Sequence, residues 1–250
     1  MKAPRPRMPL ASVEVLPLEP PFGPDVMEDL GLRGIHPGSG RTFRKDWLNT
    51  DLLCLWDEHE HTTEPARVSR VGRPNGETFY YLQHDSPQPY PCPDGTFEWG
   101  FTEHFLEHLT PEQAVGWLVE MRRVLQPGGL LRISTPSLET YMRGYLDPEG
   151  RFFAEHRRRL AQMSALDGDA PTRRAWMVNQ IFFKWGHRWL YDFEEIRHVA
   201  VQAGFPADHV VEYGFQQGSV DEVAQLDLPI HNDESVYVEL RSASERTIAS

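Results

Sequence analysis

The hydrophobic pattern changes period several times along the 250 residues. Residues 1–25 carry repeated prolines and little periodicity, which predicts an extended arm. Residues 31–36 read as a short strand halted by the turn Pro37-Gly38-Ser39-Gly40, and 47–51 form a second apolar run. Residues 57–76 are polar, have no period and read as a loop. The aromatic and β-branched run 78–83 lies between Asn75-Gly76 and Asp85-Ser86-Pro87, and reads as a strand. Prolines exclude regular structure from 87–95, and a short strand follows at 96–101.

The period then becomes helical. Thr110 offers a capping hydroxyl, Pro111 suits the first helical position, and Gln113 completes a capping box. Ala114, Trp117, Leu118, Met121, Val124 and Leu125 make one apolar face, and Pro127-Gly128-Gly129 ends the run. A strand at 130–135, closed by Pro136, completes a strand–helix–strand crossover of the kind that builds parallel sheets. Residues 139–186 hold helical stretches rich in Arg and aromatics, without a strand pattern, and read as an insertion over the sheet. Asp192 caps a second amphipathic helix, with Glu195 at its third position, Ile196, Val199 and Ala203 on its buried face, and Gly204 beyond its end. Strands at 210–213 and 236–240 follow, and the tail after Ser242 frays.

Charge and composition narrow the partners. A formal net charge of −12, with Lys and Arg scattered apart from the HRRR run at 156–159, leaves no footprint for a nucleic-acid backbone. Cys54 and Cys92 lack C-x-x-C spacing, which disfavours a thiolate zinc site and a disulfide scaffold and fits a reducing cytoplasm. Pro interrupts every apolar stretch of the N-terminus, and no run reaches the ~18 apolar residues of a spanning helix. A soluble, cytoplasmic protein acting on a small molecule is expected, with no nucleic acid and no membrane. No pattern fixes an oligomeric state.

Eleven histidines raise the question of a metal. His104-Phe105-Leu106-Glu107-His108 fits the H-x-x-E-H pattern of inverted zinc peptidases, and DEHEH at 57–61 is dense in potential ligands. The peptidase needs its ligands on one helix, whereas here the helix starts only after Thr110. The 57–61 stretch lacks defined spacing and reads as a solvated loop. No metal is expected, and His108 reads first as a packed histidine bonding a loop backbone.

The stretch from Asp85 onward, through Glu107-His108-Leu109, Glu120, Arg123-Val124-Leu125 and Gln126-Pro127-Gly128-Gly129, resembles the second half of a class I, Rossmann-like S-adenosylmethionine-dependent methyltransferase. Upstream, IHPGSGRTFRKDWLNTDL looks like the nucleotide-binding turn of a small bacterial subgroup with a shortened first motif; downstream, WGHRWLYDFEEIRHVAVQAGF resembles its final helix. The resemblance covers roughly residues 33–215 in chain order. It implies a doubly wound α/β fold with a mostly parallel, seven-stranded sheet and a helical insertion acting as a lid. Two departures stand out: His36 replaces the usual acidic residue before the first glycine, and Thr42 replaces the third glycine. The short interval from Gly40 to Asp51 leaves room for only a turn or so of first helix.

The same resemblance implies the site. The cofactor would be S-adenosylmethionine, bound by His36, Gly38, Ser39, Gly40, Asp51, His84, Asp85, Thr102 and Glu103. Gly38-Ser39-Gly40 allows close backbone approach; Asp51 would accept the ribose hydroxyls, or cap a turn; Asp85 would meet the adenine amino group, or cap the turn before Pro87. Methyl transfer is an in-line displacement that depends on alignment, with a base to take the acceptor's proton. His104 and His187 are the expected bases and Glu103 the third. Trp185, Trp189 and Tyr191 around His187 either wall a pocket or pack the insertion on the sheet.

The expected division is an arm at 1–25, a domain at 26–241 containing the insertion and substrate lid at 139–190, and a tail at 242–250. The acceptor's nucleophile is not written in these motifs. Two rivals remain at this point: cofactor chemistry without methyl transfer, and a binding protein with a decayed pocket.

Overall fold

The computed structural model describes residues 10–40, 42–53, 55, 67–162 and 171–244. The DEHEH loop and the tail after 244 lie outside them.

Among the described residues nine strands form one sheet: β1 (Ser12–Val15), β2 (Gly34–Pro37), β3 (Trp47–Asp51), β4 (Val68–Gly72), β5 (Thr78–Gln83), β6 (Phe97–Glu103), β7 (Leu125–Pro136), β8 (Val210–Tyr213) and β9 (Ser235–Arg241). Their order is β1-β4-β5-β3-β2-β6-β7-β9-β8. The five from β5 to β7 are parallel, while β9 runs antiparallel between β7 and β8. The predicted seven strands are all present, and β1 and β4 extend the sheet to nine.

Each addition has a physical reason for being hard to see. β4 buries Val68, Ser69 and Val71 and exposes Arg70, so two valines are its only apolar signal inside a polar stretch. β1 has no buried residue and is held by backbone pairing to β4, a contact formed 56 residues away in sequence between Glu14 and Arg70. The expected arm therefore includes a strand, and after it Phe22 sits fully buried in the core.

Among the described residues seven α-helices accompany the sheet: α1 (Pro24–Asp29), α2 (Pro111–Val124), α3 (Leu138–Leu146), α4 (Arg151–Gln162), α5 (Arg174–Phe183), α6 (Phe193–Gln202) and α7 (Asp221–Ala224). α2 starts as predicted: Gln113 N–H donates to Thr110 Oγ1, and the Thr110 N–H donates back to the Gln113 side chain. A cap of this type contributes about 1 kcal/mol. The apolar faces of α2 and α6 share one core with β2, β3 and β7, and Trp117, Leu118 and Ile196 are fully buried in it. On the other face Trp47, Trp99, Phe101 and Leu130 are covered by Val223 of the four-residue α7. No helix occupies the described residues between β2 and β3, which agrees with the short interval read from the sequence.

Helices α3 to α5 have a separate hydrophobic cluster of Tyr141, Phe153, Leu160, Met177, Ile181 and Leu190. They leave the sheet after β7 and return through an isolated bridge between Ser137 and Tyr191. The insertion is thus a unit with its own small core.

Candidate active site

The sheet order reverses at β2, whose neighbours β3 and β6 lead in opposite directions. In an open α/β sheet that reversal opens a crevice beyond the carboxyl ends of the strands, where ligands bind. The turn 37–40 lies at that point.

Gly38 and Gly40 both have positive φ, +66° and +54°. They have different neighbours. A Cβ on Gly38 would stand 2.6 Å from the Phe105 ring, so this glycine lets the turn lie on the end of β6. A Cβ on Gly40 would meet nothing within 4 Å, so there the backbone borders open space. Ser39 N–H donates to the Thr50 carbonyl at 3.0 Å, and the buried Ser39 Oγ has no partner among the described residues. Gly40 N–H donates to Asp51 Oδ2 at 2.7 Å, and Leu53 N–H to Asp51 Oδ1 at 3.1 Å. Burial raises the Asp51 pKa, opposed by these backbone donors.

His84 N–H donates to the Asp51 carbonyl at 2.9 Å, which sets His84 and the exposed Asp85 beside Asp51 at the next strand tip. The His84 ring lies on Tyr90, and its Nε2–H donates to the Gln88 carbonyl at 3.0 Å. The Asp85 carbonyl accepts from Gln88 N–H, forming the turn around Pro87.

Two of the expected cofactor contacts sit inside the scaffold. Thr102 is fully buried and its Oγ1 donates to the Pro37 carbonyl at 2.9 Å, tying β6 to β2. His36 is 2% exposed, and its Nδ1–H donates to Asn49 Oδ1 at 3.1 Å. Burial, assisted by the positive Arg44, lowers the His36 pKa to about 3, so the ring is neutral. These residues hold the turn from below.

Glu103, at the end of β6, accepts from Leu228 N–H at 2.9 Å and lies 4.0 Å from Arg44. Burial raises its pKa. His104 follows with φ +53°, a left-handed conformation that costs a non-glycine residue about 1 kcal/mol or more. Its Nε2 and Ser235 Oγ are bonded at 2.8 Å, and its ring faces His231 at 3.9 Å. Burial, then His231, keeps its pKa well below the usual value.

Beyond this point the H-x-x-E-H residues separate. Leu106–His108 is a single 3₁₀ turn, so His104 and His108 do not share a helical face. Glu107 is fully buried: Thr135 Oγ1 donates to its Oε2 at 2.9 Å, and Oε1 has no hydrogen-bond partner among the described residues. His104 Nδ1 lies 3.7 Å from that oxygen and His187 Nε2 3.9 Å. Burial pushes the Glu107 carboxyl up to about 8 and lowers His187 to about 4. His187 is held by Nδ1–H donation to the Ile181 carbonyl at 2.6 Å, and its loop by Arg188 and Trp189 N–H groups donating to the Glu107 carbonyl.

The site therefore has two ends. Gly38, Ser39, Gly40, Asp51, His84 and Asp85 converge at the tips of β2, β3 and β5; Glu103, His104 and His187 stand beyond β6. Sequence reasoning gave no site role to Arg44, His231 or Glu107. Glu107 belonged to the quoted motif, but its state depends on Thr135 and His187, which are remote in sequence.

Residues 51–133, from the Asp51 tip into β7, match the family described as a methyltransferase domain. That match covers the stretch from β3 to β7, about a third of the chain. An unpartnered Ser39 hydroxyl, an open Gly40 face and a fixed Asp51 carboxylate suit the polar groups of S-adenosylmethionine, the cofactor that the sequence resemblance implies. No curated protein sequence matches the chain. Among solved structures it is similar to the CurJ carbon methyltransferase at 15% identity and TM-score 0.47, over 90% of this chain and 50% of that one. It is also similar to S-adenosylmethionine-dependent methyltransferases from Archaeoglobus fulgidus (13%, TM-score 0.42, 84% and 86% covered) and Mesorhizobium loti (17%, 0.44, 87% and 96%). The chain thus spans half the length of the first of these.

Proposed function

We propose that this chain is a methyltransferase that transfers the methyl group of S-adenosylmethionine to a small molecule held between the carboxyl edge of the sheet and the helical unit at 139–190. The observation that carries this reading is the pairing of a polar, glycine-lined cofactor end with a separate, histidine-rich end at the tip of β6. The cofactor supplies a methyl carbon already activated by a sulfonium. The chain's task is to align the acceptor for in-line displacement and take its proton.

Asp51 holds the ribose diol with the lone pairs left by Gly40 and Leu53, while the Asp85 tip meets the adenine. His104, His187 and Glu103 are the groups that receive the acceptor's proton. His187 has its Nδ1–H committed to Ile181, which leaves Nε2 with the lone pair, and its low pKa keeps the ring neutral at pH 7. The domain at 26–241 binds the cofactor and the insertion selects the acceptor. The arm (1–25) and the tail (242–250) lie outside this division of labour. No helix of the described residues is long and apolar enough to cross a membrane. With an acidic chain and few cysteines, a cytoplasmic enzyme of small-molecule biosynthesis is the setting we favour.

The test is product analysis. With S-adenosylmethionine carrying an isotopically labelled methyl group and a panel of hydroxyl, amine and carbon-acid acceptors, mass spectrometry should find the label on a small molecule. Label that appears only on nucleic acid, or cofactor cleaved or cyclised without transfer, overturns the proposal.

A further inference from the structure

Three groups of side chains in the described residues bring histidine and carboxylate atoms within 4.8 Å of one another: His104, His231 and Glu234; His156, Asp233 and Glu234; and Glu107, His108 and His187. The first two share Glu234, whose oxygens are already engaged. Tyr141 OH donates to its Oε2 at 2.6 Å and Arg159 Nη2 to its Oε1 at 3.3 Å. The Arg159 guanidinium also pairs with Asp233. A fixed cation thus already stands where a metal would bring its charge, and both groups are accounted for by the tie between the helical insertion and the segment before β9.

The third group differs on both counts. No Arg or Lys pairs with Glu107 among the described residues, and one of its oxygens, fully buried, has no hydrogen-bond partner. A carboxyl in such a place can ionise only beside a compensating charge, and a bound cation would supply it. Each donor is also oriented from behind, as metal ligands usually are. Thr135 Oγ1 fixes Glu107 through its other oxygen. The Ile181 carbonyl takes the Nδ1–H of His187, which turns Nε2 toward Glu107, and the Gly186 carbonyl takes the Nδ1–H of His108 at 3.3 Å. The loop that carries His187 is bonded through Arg188 and Trp189 to the backbone of Glu107 itself, so the donors are held together across the fold.

We infer that Glu107, His108 and His187 form a binding site for a divalent first-row transition ion, with two imidazole nitrogens and one carboxylate oxygen as ligands. The sequence argued against a metal because His104 and His108 share no helix; the site uses a different third ligand, His187, brought in from the return of the insertion. Zinc takes such N₂O sets at about 2.0–2.2 Å, so donors around it lie roughly 3–3.5 Å apart. The donor atoms lie within 4.8 Å of one another, 3.9 Å for Glu107 Oε1 and His187 Nε2, and must therefore close by up to about 1.5 Å. Glu107 is buried and His108 is exposed, which gives the ion a path from solvent. Three protein ligands leave at least one coordination position for water or an acceptor oxygen. With the ion bound, His187 Nε2 is taken and His104 and Glu103 are left to receive the acceptor's proton; only that consequence and the role of the open position rest on the methyl-transfer proposal, and binding of the ion does not.

The test uses the full chain, treated with chelator, dialysed and titrated with Co²⁺ as a spectroscopic stand-in and then Zn²⁺ in competition. One Co²⁺ per chain with ligand-field bands of nitrogen and oxygen coordination, displaced by Zn²⁺, is expected. His187→Ala and His108→Ala should each weaken binding by about tenfold or more, and His231→Ala should not. Circular dichroism and a metal-free melt identify a variant that fails to fold, and His108→Ala at the exposed rim is the variant least exposed to that risk. Absence of coordinated Co²⁺, or loss of it in His231→Ala with retention in both other variants, overturns the assignment. Labelled methyl transfer measured on the chelated enzyme separates a failure of this site from a failure of the proposed reaction.

Discussion

The Gly40 amide donates to the Asp51 carboxylate at 2.7 Å, and this one bond joins the glycine turn after β2 to the acidic tip of β3. The bond fixes the carboxylate at the mouth of the crevice with lone pairs still available. It also separates the roles of the two glycines. Gly38→Ala places a methyl group against Phe105 at positive φ and should destabilise the fold by about 1–3 kcal/mol. Gly40→Ala meets only the left-handed penalty of about 1 kcal/mol, but its methyl group enters the open space. Melting curves and S-adenosylhomocysteine titrations of both variants check this: the larger Tm loss belongs to Gly38→Ala, and the larger loss of affinity relative to Tm to Gly40→Ala.

Acid should destabilise the protein through its buried neutral imidazoles. The folded pKa of His36 lies near 3, below the ordinary 6.5 of the unfolded chain. Above pH 6.5 neither state is protonated and the group has no effect. As pH falls from 6.5 toward 3, only the unfolded state takes up the proton, so stability is progressively lost. His156 and His187, both near 4, act in the same direction. Urea melts between pH 7 and 4 should show this slope, reduced in His36→Leu. A slope unchanged by that variant refutes the contribution of His36.

Much of this architecture was legible because its signals are local. The capping residues Thr110 and Asp192 bond where the spacing placed them, and the run 78–83 coincides with β5. Other features were hidden because tertiary pairing creates them. β1 exposes nearly all its side chains, and β4 shows two valines. Gly38, Gly40 and Asp51 were readable from motif order, but the burial of His36 and Thr102 within the scaffold was not. The neighbours of Glu107 come from β7 and from the return of the insertion, so no local pattern announces them.

Arg132 is fully buried and bonds Asp227 at 2.8 and 2.6 Å and Glu239 at 3.1 Å. Through these bonds it holds the segment before β9 against β7. Arg132→Leu leaves two buried carboxylates without their cation and should cost about 3–5 kcal/mol in denaturant unfolding. A change below 1 kcal/mol would show that the network relaxes to solvent.

Tyr141 in α3 donates to Glu234 and receives the Nε2–H of His156 at 2.7 Å, joining the insertion to the segment before β9. Tyr141→Phe keeps the ring in its cluster and removes this link, at about 1–3 kcal/mol. Hydrogen exchange should quicken in α3 and α4 while α2 keeps its protection. Equal acceleration in α2 would mean that the insertion and the sheet open as one unit.

The central claim is that the glycine turn and the acidic strand tips form one adenosyl site, and calorimetric titration of wild type and Asp51→Ala with S-adenosylhomocysteine tests it most directly. One ligand per chain is predicted for the wild type, with affinity reduced by about tenfold or more in the variant. Equal affinity in the two proteins, or no binding to the wild type, contradicts it.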